Sequence, residues 1–156
     1  MVVADTSPLN YLILVEASDI LPALFGRICV PTAVVTELAH PRAPVVVKNW
    51  MRYGVPDWIE VRNAGALEAG LEYVGAGERE AIALAMEIGA AALLIDDRVG
   101  RREATERGLR VVGTLALLSE AARRNLVDLN NVLDRLLQTN FRISEELLRA
   151  LRSQGG

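Results

Sequence analysis

The chain reads as an α/β fold built on a mainly parallel sheet, and three features predict it. Short apolar segments alternate with stretches of helical periodicity from one end to the other. Residues 91–95 form an unbroken apolar run, the pattern of a strand covered on both faces. That run stops abruptly at an acidic pair, Asp96-Asp97, as a buried strand does where it meets the edge of its sheet.

Taken in order, Val2-Val3-Ala4 is a short apolar strand that stops at Asp5. Ser7-Pro8 then reads as a helix N-cap followed by proline at the first helical position, with Leu9, Leu12 and Ile13 continuing an apolar stripe. A second helical piece over 20–25 ends at Gly26, and residues 27–30 give the next strand. After Pro31, Thr32 is positioned to cap a helix through Val34, Val35, Glu37 and Leu38, which Pro41 ends. Residues 45–53 suit an amphipathic helix, 57–62 alternate like an edge strand, and 65–77 are a glycine-rich connector.

From Glu78 to Ile88 the apolar positions Ala81, Ile82, Leu84, Ala85 and Ile88 fall at helical spacing, with Gly89 as the stop. A helix over 98–107, a strand over 109–112 and a helix over 115–124 complete the alternation. The expected division is a sheet-bearing unit at 1–125 and a helical extension at 126–156, with helices over 129–137 and 144–151, packed on the same domain. Leu133, Leu136, Leu147, Leu148 and Leu151 exceed what one edge of a small sheet needs, which predicts self-association or a small protein partner.

Composition excludes several classes. The 156 residues suit one compact domain, and 51% hydrophobic against 24% charged residues, with a mean hydropathy of +0.24, rules out a disordered chain. The single cysteine, Cys29, forbids a disulfide framework and reads as a buried thiol. No secretory leader pattern and no apolar run near the ~18 residues of a membrane span are present, so a cytoplasmic protein without membrane association is expected. A net charge of −3 argues against a strongly basic binder, yet arginines gather at Arg98, Arg101, Arg102, Arg107 and Arg110, leaving room for a local basic face.

The chemistry-bearing residues are acids. In an open parallel sheet, functional groups collect at the carboxyl ends of the strands. Asp5 closes the first strand, Asp96-Asp97 closes the central one, Glu37 lies one turn into the helix after the second strand, and Glu78 starts the helix before the central strand. Each has a plain structural reading as a cap, a first-turn acid or a solvated helix position. Together in one crevice they would repel, raise their pKa values or recruit hard cations, and such oxygen donors suit Mg²⁺ or Mn²⁺.

Other chemistries find little support. His40 is the sole histidine and cannot build a zinc site with one cysteine; Ser7 has no histidine partner for a triad. Gly75-Ala76-Gly77-Glu78 is only a weak glycine turn and no phosphate-binding loop is present. With carboxylates alone, the best-matched reaction is metal-assisted phosphodiester hydrolysis. Two rivals stand beside it: a phosphoacceptor or phosphatase domain using Asp5 as nucleophile, for which Lys48 is the only lysine, and a catalytically silent binding module.

Four blocks, Val3-Ala4-Asp5-Thr6-Ser7, Val30 to Leu38, Gly77 to Ala85 and Leu94-Ile95-Asp96-Asp97-Arg98, resemble the successive acidic blocks of PIN-domain proteins. Gly113-Thr114-Leu115 and Phe141-Arg142-Ile143-Ser144 resemble a PIN-like subgroup. The resemblance implies a three-layer α/β/α fold and a VapC-like, Mg²⁺- or Mn²⁺-dependent ribonuclease, the toxin partner of a small antitoxin and a homodimer. It makes Asp5, Glu37, Glu78 and Asp96 the catalytic or metal-binding acids, with Thr6 and Ser7 as hydroxyl support. Glu78 stands where many relatives carry aspartate, and the doubled Asp96-Asp97 leaves the last ligand open, with Asp96 favoured because it directly follows the strand. Arg98, Arg101 and Arg102 then read either as a solvated face or as contacts to the RNA backbone, with few aromatics to stack bases.

Overall fold

The computed structural model describes residues 1–155. Among them, five strands form one all-parallel sheet: β1 (Val2–Ala4), β2 (Ile28–Val30), β3 (Ile59–Val61), β4 (Ala92–Leu94) and β5 (Val111–Val112), in the order β3-β2-β1-β4-β5. The helices are α1 (Thr6–Leu14), α2 (Ile20–Phe25), α3 (Thr32–Leu38), α4 (Val45–Trp50), α5 (Ala76–Glu87), α6 (Arg98–Glu106), α7 (Thr114–Arg123), α8 (Leu129–Leu137) and α9 (Glu145–Gly155).

Strand periodicity explains the three layers, because alternate residues of each central strand face opposite sides of the sheet. Val2, Ala4, Ile28, Val30, Ala92 and Leu94 face one core with Leu9 and Leu12 of α1, Leu117 and Leu118 of α7 and Leu133 of α8. Val3, Cys29, Leu93 and Ile95 face the other core with Ala81, Ile82, Leu84 and Ala85 of α5 and Ala104 of α6. Both faces are covered, as the run at 91–95 predicts. β4 itself spans three residues, but the ladder outruns it, since Ala91 N donates to Met1 O at 3.0 Å and Ile95 N to Val112 O at 2.9 Å.

The chain builds outward from β1 through β2 to β3, then returns to the other side of β1 to place β4 and β5. The direction of winding therefore reverses between β1 and β4, and in such sheets the diverging connections open a crevice at the carboxyl ends of those two strands. Val3 is paired with Leu93 and Ala4 with Leu94, so the residues that follow, Asp5 and Ile95-Asp96, leave the sheet at the same edge.

Two expected caps are not made. Helix α1 starts at Thr6 with Asp5 in the N-cap position, two residues earlier than Ser7-Pro8 implied, and the Ser7 hydroxyl is used elsewhere. Thr32 is the first residue of α3 behind Pro31, and its hydroxyl accepts from Asn63 Nδ2 at 2.9 Å, tying α3 to the segment after β3.

Helices α8 and α9 lie on the α1–α7 side. Leu133 and Leu136 are fully buried and Leu151 is 8% exposed, all in the same core as α1 and α7. Asp128 caps α8 through Asn131 N at 3.0 Å, and Arg152 of α9 reaches Asp134 at 2.6 Å and Asn130 at 3.0 Å. Most of the leucines expected to serve a partner are thus spent inside this chain; Leu147 remains 44% exposed. No helix among the described residues is long and apolar enough to cross a membrane.

Candidate active site

Asp5 occupies the centre of the crevice. Its amide donates to Leu94 O at 2.9 Å, which locks the end of β1 to the end of β4, and its side chain is only 1% exposed. Oδ1 of Asp5 is buried and accepts no hydrogen bond. Burial, then the charge of Glu78, and further the charges of Glu37 and Asp96, push the Asp5 pKa up to about 8, against a lowering from the Thr6 amide.

Glu37 comes from the last turn of α3 and is held from two sides: Thr6 Oγ1 donates to Oε2 at 2.5 Å and the Gly77 amide donates to Oε1 at 3.1 Å. Gly77 closes on the acids so tightly that a Cβ there would meet the Glu37 oxygens at 2.7 and 2.9 Å and Asp5 Oδ1 at 3.1 Å. The missing side chain is what lets α5 start against these two carboxylates.

Asp96 is fixed by three donors: Ser7 Oγ at 2.9 Å and Thr114 Oγ1 at 2.7 Å to Oδ2, and the Thr114 amide at 2.8 Å to Oδ1. These donors start α1 and α7, so one carboxylate ties together the elements that follow β1 and β5. Asp97 does different work. It is exposed, and its Oδ2 caps α6 by accepting from Gly100 N at 2.8 Å, which leaves the inward position to Asp96.

Glu78 is half-buried in the first turn of α5 with its carboxylate folded back over Gly75. Burial raises its pKa, Glu37 and Asp97 raise it further, and its own backbone amide opposes them. Thr6 and Ser7 therefore meet Glu37 and Asp96 respectively, while Asp5, Glu37, Glu78 and Asp96 share one electrostatic neighbourhood.

The donor set is all hard oxygen, which fits a divalent cation of the Mg²⁺ or Mn²⁺ type. The orphaned Asp5 Oδ1 and the notch at Gly77 fit it too, because an unpaired buried carboxylate oxygen beside a second carboxylate lacks a positive partner. Among the described residues, however, no three His, Cys, Asp or Glu side chains are drawn together closely enough to hold a metal ion. The oxygens of Glu37 and Asp96 are turned to hydroxyls and amides, so binding a cation requires these side chains to turn toward Asp5.

The arginines split. Arg98 and Arg102 are exposed on α6, whereas Arg101 is partly buried and donates to Ile95 O at 3.0 Å beside Asp96 and Gly113. Arg107 pairs with Glu103 at 2.7 Å and also reaches Glu68 at 3.5 Å and Ala69 O at 3.2 Å, and Tyr73 donates to Glu103. This cluster pins the 65–75 connector, whose Leu71 is fully buried, onto α6. His40 is exposed, accepting from Arg42 N, and Lys48 donates to Pro41 O, so neither enters the crevice.

Two contributors escape a residue-by-residue reading. Thr114, fully buried, is the main anchor of Asp96, and Gly77 is the notch for Glu37. The signal for Thr114 was its place immediately after a strand and a glycine, the carboxyl edge where Asp5 and Asp96 also stand.

A carboxylate-lined crevice at the switch point of a three-layer parallel sheet defines the class of this molecule. Residues 1–156 match a family model described as DUF3368, a PIN domain, and the chain belongs to the PIN-domain family, whose fold is of the nuclease type. No curated protein matches it. Among solved structures it is similar to a PilT N-terminus domain protein from the hyperthermophilic archaeon Sulfolobus solfataricus P2, at 16% identity and a TM-score of 0.48, over 92% of this chain and 98% of that one.

Proposed function

We propose that this chain is a Mg²⁺- or Mn²⁺-dependent endoribonuclease that hydrolyses phosphodiester bonds of RNA. The observation that carries the reading is Asp5: a buried carboxylate with an oxygen that no donor satisfies, at a pKa pushed to about 8, facing Glu37 across a notch with no side chain. Only a bound cation relieves that arrangement at neutral pH with all its acids ionised.

Asp5, Glu37 and Asp96 are the residues to hold the cation, with Glu78 at the rim. A divalent ion bound there supplies charge neutralisation for the phosphate and a water of lowered pKa. The chain's own part is positional. Thr6, Ser7 and Thr114 fix the rotamers of Glu37 and Asp96, Asp97 caps α6, and Arg101, held on Ile95 O beside Asp96, is the guanidinium proposed to meet the phosphate. Arg98 and Arg102, exposed on the same helix, extend that cationic side for contacts to an RNA backbone. Asp5 is ill placed as a phosphoacceptor, being 1% exposed with Lys48 committed elsewhere.

The role of toxin to a small antitoxin, homodimerisation and a cytoplasmic setting belong to the same proposal and rest on the family resemblance. The silent binding module is the second reading, and one observation favours it: the described acids are not drawn into a ready coordination shell.

The test is cleavage of a mixed single-stranded RNA pool with Mg²⁺ or Mn²⁺, with and without excess EDTA. Cleavage confined to the metal-containing reactions is expected. Cleavage that persists in EDTA overturns the metal dependence, and a protein that binds Mn²⁺ and a partner but cuts nothing is the silent module.

A further inference from the structure

The connection between α8 and α9 reaches the mouth of the crevice. A hollow of about 300 Å³ opens beside Asp96, bounded by Arg101, Thr114, Leu115 and Phe141. Phe141 lies far along the chain from the acids, in the segment that crosses back over α1.

Its ring is held firmly without being buried. Tyr11 of α1 packs against it edge-to-face, with ring centroids 4.8 Å apart and planes at 84°. The Tyr11 hydroxyl donates to Asn140 Oδ1 at 2.6 Å, and the Phe141 amide donates to Thr139 Oγ1 at 3.1 Å, so both the ring and the turn that carries it are fixed. The ring nevertheless stays partly exposed and lines the hollow.

We propose that this hollow is a nucleobase subsite, in which a base stacks on Phe141 while the adjoining phosphate lies on Arg101, on the side of the crevice acids. The inference rests on the nuclease reading and names what holds the substrate there. An aromatic face and a guanidinium side by side match two parts of one nucleotide, its base and its phosphate, and Asp96 next to them belongs to the acids proposed to act on that phosphate. The subsite also gives the C-terminal helices a functional task, since they deliver Phe141. With only 2 Phe, 3 Tyr and 2 Trp in the chain, a fixed aromatic at the crevice mouth is a sparing use of the residue type that stacks bases.

Stacking predicts a coupling that a structural role does not. Binding is measured by fluorescence anisotropy in Ca²⁺, with gels to confirm that the RNA stays whole, for pentaadenylate RNA and for the same ribose-phosphate backbone without bases. The wild type should bind the base-bearing RNA roughly tenfold tighter or more, as loss of one stacking aromatic commonly costs. Phe141→Leu, which keeps an apolar contact with Tyr11, should cut that preference below about threefold, and Phe141→Tyr should restore it. Equal weakening of both ligands by Phe141→Leu, or no weakening of either, overturns the subsite. Cleavage of RNA by the wild type in Mn²⁺, run in parallel, separates the two failures: an active enzyme whose base preference ignores Phe141 refutes the subsite alone, while a wild type that neither binds nor cleaves RNA refutes the nuclease reading with it.

Discussion

Replacing Asp5 by asparagine should stabilise the metal-free protein, and by an amount set by pH. In the fold the carboxyl sits near pKa 8, raised first by burial, then by Glu78, with Glu37 and Asp96 adding to it. In the unfolded chain it returns to about 3.9. Between those values the folded state keeps a proton that the unfolded state releases, so the folding constant falls about tenfold for each unit of rising pH. This is the reverse of a salt-bridged acid: stability is lost above the unfolded pKa, not below it. From pH 4 to pH 7 the effect sums to ~4 kcal/mol, and relaxation of the crevice brings the expected gain for Asp5→Asn at pH 7 to about 1–4 kcal/mol. Urea unfolding of both proteins in EDTA at pH 4, 5, 6 and 7 reads it directly, with the gap between them opening as pH rises. Mn²⁺ at pH 7 should close the gap by binding the folded wild type. An Asp5→Asn protein that is less stable than wild type by the same margin at every pH overturns the raised Asp5 pKa and makes Asp5 a structural cap.

Three further outcomes follow from single contacts. Gly77→Ala puts a Cβ 2.7 Å from a Glu37 oxygen and 3.1 Å from Asp5 Oδ1, so Mn²⁺ affinity measured by calorimetry should fall about tenfold or more while the fold loses about 1–3 kcal/mol. Arg107→Ala removes the bonds to Glu103, Glu68 and Ala69 O, and hydrogen exchange should quicken over residues 65–75 ahead of the sheet strands. Leu133→Ala in α8 should cost about 2–5 kcal/mol in a single cooperative transition, since Leu133 is fully buried in the core shared with α1 and α7; a separate early transition would make the C-terminal helices an independent unit.

Much of this architecture is legible in the sequence because apolar periodicity and strand ends are local signals. The run at 91–95 announces a strand covered on both sides, and Ile82, Leu84 and Ala85 announce the buried face of α5. The acids stand out for a related reason, that they follow strand ends and a parallel sheet brings such ends to one edge. What stays hidden is nonlocal. Ser7 has the local look of a cap, but the tight exit from β1 gives that position to Asp5 and turns the Ser7 hydroxyl to Asp96, 89 residues away. Asp96 and Asp97 are indistinguishable by type; the place of Asp96 directly after the strand favours it, and the cap that Asp97 makes on Gly100 N leaves it the inward position. Most of the C-terminal leucines look free to meet a partner in the sequence, and it takes the packing of α8 and α9 on α1 and α7 to show that Leu133, Leu136 and Leu151 lie in this chain's own core. Phe141 gives no local sign of approaching Asp96, because the approach depends on where α8 ends relative to α1.

Metal coordination by Asp5, Glu37 and Asp96 is tested by the Mn²⁺ dependence of cleavage of one RNA by the wild type, Asp5→Asn, Glu37→Gln, Asp96→Asn and Asp97→Asn, with folding checked by circular dichroism. Asp5, Glu37 and Asp96 face the crevice, so their amide variants should each lose activity about 100-fold or more and need more Mn²⁺, whereas Asp97→Asn, which keeps an N-capping side chain outside it, should lose far less. A folded Asp5→Asn protein that cleaves at the wild-type rate with the wild-type Mn²⁺ requirement contradicts a metal-binding role for Asp5.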